Sequence, residues 1–162
     1  LETLALLSGV TNNPLLAATP VEQESVTARV HLDGTLRGTY APEPTVDTGP
    51  TQRLSGSGRV GLLGQVTVSG DLGRSGYILF PNRPALGTIV LTNSQGTVTL
   101  SLRNDVQGKS AGLPSRFHYT VTAGTGAYAH LADSGSARLT LHADPGRLGG
   151  HFRLVLTSSR GG

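Results

Sequence analysis

Four of the five histidines in this chain sit two or four residues from an arginine: Arg29 with His31, Arg116 with His118, Arg138 with His142, and His151 with Arg153. In an extended chain such spacings put both side chains on one side of the backbone. If their strands are adjacent, these eight residues form a basic stripe suited to an anionic partner, an acidic polysaccharide above all. The plainer reading of the same residues is the solvated exterior of a β-protein. Metal binding is not expected, because no second histidine or carboxylate falls at ligand spacing. Serine hydrolase chemistry needs a serine held on a strained strand-to-helix elbow beside a base. Gly56-Ser-Gly58 is instead a strand-like alternation. Asp33, Asp71, Asp133 and Asp144 stand in turn-like contexts with Gly or Ser, where a turn role accounts for them. They lack calcium-loop spacing, and the phosphate-loop and dinucleotide motifs are absent. No catalytic residue and no cofactor is assigned.

Composition narrows the partner. The formal charge of +3 comes from twelve arginines and one lysine against ten acids, without the dense basic clusters of nucleic-acid binders. Three Phe, four Tyr and no Trp are too few for a base-stacking platform, so nucleic acid is not expected. Cysteine is absent, which removes disulfides and thiolate sites. The apolar run Leu4 to Leu7 is far too short to span a bilayer.

The elements that must carry these residues read as strands. Val26 to Leu32 alternates, Asp33-Gly34 reads as a hairpin turn, and Thr35 to Tyr40 as its return. Residues 41–52 hold Pro42, Pro44 and Pro50 and read as a surface loop. Further strands are expected at Leu54–Val60, Gln65–Leu72, Thr88–Thr92, Thr97–Leu102, Arg116–Thr122, Ser136–His142 and His151–Thr157. No segment of useful length has helical period. The expected fold is all-β, an antiparallel β-barrel of about eight strands, with a β-sandwich as the alternative. Residues 24–158 form the domain, 1–23 an N-terminal extension and linker, and 159–162 a tail.

The phrase Tyr119-Thr-Val-Thr-Ala-Gly-Thr-Gly-Ala-Tyr128, followed by Ser134-Gly-Ser136, resembles the allene oxide cyclase-like barrels, the dirigent proteins and secreted bacterial β-proteins. The hairpin Gly87 to Leu100 resembles the same proteins, and the likeness covers about residues 54–157. Gly124 and Gly126 would permit positive φ and close approach at a barrel corner, and Tyr128 would plug that end. His130 stands where those proteins carry a small residue. The resemblance implies a barrel and an exported or cell-surface location. It does not carry over the cyclase acids, since Val26 to Leu32 offers Val, Ala, Val and Leu on its apolar face.

Two apolar features remain. Leu1, Leu4, Leu6, Leu7 and Val10 make the extension a candidate strand for addition to another copy's sheet. A head-to-tail contact of that kind can propagate into a filament. The expectation is therefore a non-enzymatic extracellular structural or surface protein that self-associates through residues 1–22. The alternatives are a small hydrophobic ligand-binding or cyclase-like barrel and an adhesin using the Arg/His stripe. The ligand-binding barrel would be lined by Val30, Val68, Leu100, Phe117, Tyr119 and Tyr128.

Overall fold

In a computed structural model, residues 31–43, 51–74, 85–104, 113 and 115–159 are described. They form eight antiparallel strands in chain order: β1 (Gly34–Glu43), β2 (Thr51–Val60), β3 (Gly64–Arg74), β4 (Ala85–Asn93), β5 (Gly96–Asn104), β6 (Arg116–Gly124), β7 (Ser134–Ala143) and β8 (Gly150–Ser158). Each strand pairs with the next, and β1 pairs with β8 from Gly34↔Leu156 to Tyr40↔Gly150. The sheet is closed, which leaves no free edge and excludes the sandwich. Among the described residues the only helical pieces are 3-10 turns at Gly61–Leu63 and Gly126–Tyr128.

Closure corrects the expected first hairpin. Gly34 is already a β1 residue, paired with Val60 on one side and Leu156 on the other. With both edges of β1 occupied, a strand ending at Leu32 has no place beside it. His31–Asp33 are not strand, and Val26 to Val30 lie outside the described residues. The expected 41–52 loop is shorter than its prolines suggested. β1 runs on to Glu43, and Pro42 pairs with Gln52 beyond the point where the β8 ladder stops. A residue without an N–H is tolerated there because only one neighbour needs bonding.

Alternation sorts the side chains. Leu36, Leu54, Val68, Ile89, Leu100 and Leu154 point inward and are buried, while the residues between them face solvent. An eight-stranded barrel is just wide enough for such side chains to fill. Tight coiling of β1 on β2 depends on an inward glycine pair. A Cβ on Gly56 would stand 2.1 Å from Arg37 O and 2.7 Å from Gly38 Cα. A register shift after Thr99 leaves Thr122 as an extra residue on β6, and this bulge leads the chain into the Gly124–Tyr128 corner.

Candidate functional site

Exposed arginines line up across six consecutive strands: Arg103 on β5, Arg116 on β6, Arg138 on β7, Arg153 on β8, Arg37 on β1 and Arg59 on β2, which also carries Arg53 further along. The register makes them a row. Arg116 is directly opposite Arg138, and Arg153 directly opposite Arg37. Arg138 faces Val155, two residues from Arg153; Arg37 faces Ser57, two from Arg59; and Arg103 faces His118, two from Arg116. Direct pairs on one face have Cβ atoms about 5 Å apart, and diagonal neighbours stand about 7–8 Å apart.

This placement is electrostatically unfavourable by itself. Like charges directly opposite in a sheet destabilise the pairing. Five of the six strands contain no Asp or Glu at all, and β1 contains only Glu43 at its far end. Arg37, Arg116, Arg138 and Arg153 have no ion-pair partner among the described residues. The described acids are used elsewhere. Arg53 donates to Glu43 (2.6 Å) and Asp71 (3.3 Å), and Asp144 meets His151 Nδ1 at 3.0 Å.

Two open clefts lie along the row. One, of about 430 Å³, is lined by Arg116, His118, Ser136 and Arg138, with Phe117 and Ala137 between them in sequence and their side chains turned to the core. Asn104 completes it, its amide donating to the Arg116 carbonyl. The second, of about 490 Å³, is bordered by Arg37, Arg153 and the cross-strand pair His142 and His151.

Of the sequence-derived stripe, the fold brings together Arg116, His118 and Arg138, and separately His142, His151 and Arg153. His31 belongs to another region, and Arg29 lies outside the described residues, as do Leu1, Leu4, Leu6, Leu7 and Val10. Arg37, Arg59 and Arg103 were missed. Their signal was present, since each is polar at an outward position next to a buried leucine or valine (Leu36, Val60 and Leu102), but their alignment depends on register.

A partly buried polar junction closes the opposite end of the barrel. Tyr119 Oη donates to Asp133 Oδ2 (2.7 Å), Leu32 N donates to the same oxygen (3.0 Å), and Ser158 Oγ donates to Oδ1 (2.6 Å). Because Ser158 gives its one proton to Asp133, His31 Nδ1 is the donor in its 3.0 Å contact with Ser158 Oγ. Asp33 Oδ1 accepts from Ser158 N at 2.7 Å. Burial pushes the Tyr119 hydroxyl far above its usual range, reinforced by the hydrogen bond to Asp133 and that carboxylate's charge. Asp33 and Asp133 therefore do more than make turns: they tie β6 and β8 to the segment before β1.

At the corner, Gly126 has φ +60° and Tyr128 is buried, with Asn93 Nδ2 donating to its Oη at 2.8 Å. A Cβ on Gly124 would stand 2.0 Å from Tyr128 O. His130 is exposed on the following turn. Among the described residues no three metal-ligating side chains gather, and no helix is long and apolar enough to cross a membrane.

No known family profile and no curated protein matches the chain. A solved structure named pyocyanin demethylase is similar at a TM-score of 0.39 and 19% identity, covering 78% of this chain and 98% of that one. The expectation of a non-enzymatic protein is corrected at this point: the structure found is named for an enzymatic activity. The ground shared with the cyclase-like resemblance is the eight-stranded barrel itself.

Proposed function

We propose that the chain is a ligand-binding barrel that takes the acidic group of its ligand on the outer wall, in the cleft between Arg116 and Arg138. The observation that carries this reading is the direct cross-strand placement of these two exposed arginines on one cleft. Two guanidinium forks facing one cleft can each hold a carboxylate, sulfate or phosphate oxygen pair. The bound anion would relieve a repulsion that no acid among the described residues offsets. His118 adds a further donor at the rim.

The interior residues named for a hydrophobic ligand are engaged otherwise. Val68, Leu100, Phe117, Tyr119 and Tyr128 are packed in the core, and Val30 lies outside the described residues. This favours the wall over the lumen as the place of binding.

Calorimetric titration with sodium sulfate and with a monocarboxylate of small apolar body tests the reading. Binding by the wild type that is lost in Arg116→Gln and Arg138→Gln, but kept in Arg53→Gln, is expected. Anion binding unaffected by either cleft substitution would reject it.

A further inference from the structure

We propose that the ligand is a flexible, linear acidic polysaccharide, laid around the barrel along the row Arg103, Arg116, Arg138, Arg153, Arg37 and Arg59. The inference rests on the outer-wall reading above and extends it from one acidic unit in the cleft to a chain of them.

The row has the geometry of a track. It crosses six adjacent strands with one arginine on each, at alternating direct and diagonal positions. Successive Cβ positions are thus about 5 to 8 Å apart along the row. A single anion would use one pair and leave the rest idle, whereas a chain with an acidic group on each unit meets them in turn. The two clefts lie on this path, at Arg116 with Arg138 and at Arg153 with Arg37, which gives the chain two seats rather than one.

The shape of the track selects the polyanion. Because the row runs across strands, it follows the curved circumference of a small barrel. Duplex DNA stays straight over about 150 base pairs and cannot wrap so tightly without a large bending cost. Single-stranded nucleic acid gains much of its affinity from bases stacked on aromatic rings. Among the described residues every aromatic side chain (Tyr40, Phe117, Tyr119, Tyr128 and Phe152) packs in or against the core, and none stands on the outer wall. What remains is recognition through charge and guanidinium hydrogen bonds alone, as carboxylated or sulfated sugars require.

The full chain can be titrated with polyuronate and sulfated-dextran fragments of graded length, with oligothymidylate, and with sodium sulfate, at several salt concentrations. Affinity is expected to rise with fragment length, by about a hundredfold from the shortest to one spanning the row. The slope of log affinity against log salt should approach about −3.5 for the five charges from Arg116 to Arg59 neutralised on a flexible chain. The double variant Arg37→Gln/Arg153→Gln should lower that slope in magnitude by about 1.4 while leaving sulfate binding at Arg116 and Arg138 unchanged. Length-independent affinity, an unchanged slope in the double variant, or oligothymidylate binding at least as tightly as polyuronate would overturn the proposal. The two readings fail separately. Sulfate binding without length dependence removes the track and keeps the cleft; length dependence that survives Arg116→Gln/Arg138→Gln removes the cleft and keeps the rest of the track.

Discussion

Tyr119 donates its phenolic proton to Asp133 Oδ2 across 2.7 Å, joining the inner face of β6 to the residue that precedes β7. Tyr119 is almost fully buried, so this hydroxyl has no water to turn to. The same carboxylate accepts from Leu32 N and Ser158 Oγ, and one side chain thus gathers three parts of the chain remote in sequence.

Loss of the phenol should expose this dependence. Tyr119→Phe keeps the ring and removes one donor to an ionised acceptor, so a loss of about 1.5–3 kcal/mol is expected. Urea denaturation at neutral pH measures it.

The same residue sets an alkaline limit. Its folded hydroxyl holds its proton to a higher pH than an unfolded tyrosine does. Below the ordinary tyrosine range, about pH 10, both states are protonated and the Tyr119 contribution is fully present. As pH rises above that, the unfolded state releases the proton and the folded state does not, so stability falls. Denaturation midpoints between about pH 9 and pH 11 should decline in the wild type and decline less in Tyr119→Phe.

Asp133→Asn tests the acceptor. An amide offers one oxygen where the carboxylate offered two, and its NH₂ points a donor at a donor. The Ser158 hydroxyl or the Tyr119 hydroxyl loses its partner, at a cost of about 2–3 kcal/mol. Calorimetric melting should show a drop of about 2–4 °C for each kcal/mol lost.

Gly56→Ala tests the tight pair in β1 and β2. The added methyl would meet the backbone at Arg37 O and Gly38 Cα, neither of which is the end of a flexible side chain. The strands must separate, and the expected loss is at least about 1–3 kcal/mol. A melting temperature equal to the wild type would show that the closure does not depend on this approach.

Arg53→Gln provides the contrast. Its side chain is 62% exposed, and its pairs with Glu43 and Asp71 are screened. A change below about 1 kcal/mol is expected by the same denaturation assay.

Much of the fold was legible in residue order. The strands from Leu54 onward were readable because Leu, Val and Phe recur at period two, with Gly and Asn marking the turns. Observed boundaries extend by one to three residues, mainly because ladder bonding continues through residues such as Pro42, Gly73 and Asn104 that carry weak strand signals. The Asp33-Gly34 hairpin was misjudged for a different reason. A local turn signal says nothing about whether the next strand's edge is free, and here β8 occupies it.

For the candidate site, the sequence by itself determined that the chain is all-β, that its exterior is basic through arginine, and that Arg116 and His118, like His151 and Arg153, share a face. Those conclusions follow from side-chain alternation, a property of single strands. Only the tertiary structure decided that the sheet closes, that Arg116 stands opposite Arg138 and Arg153 opposite Arg37, and that Tyr119, Asp133 and Ser158 meet. Each of those depends on register between strands up to about 120 residues apart in sequence. A slip of one residue would turn the row inward. Register is settled by the packing of the whole interior, which no single strand's pattern contains.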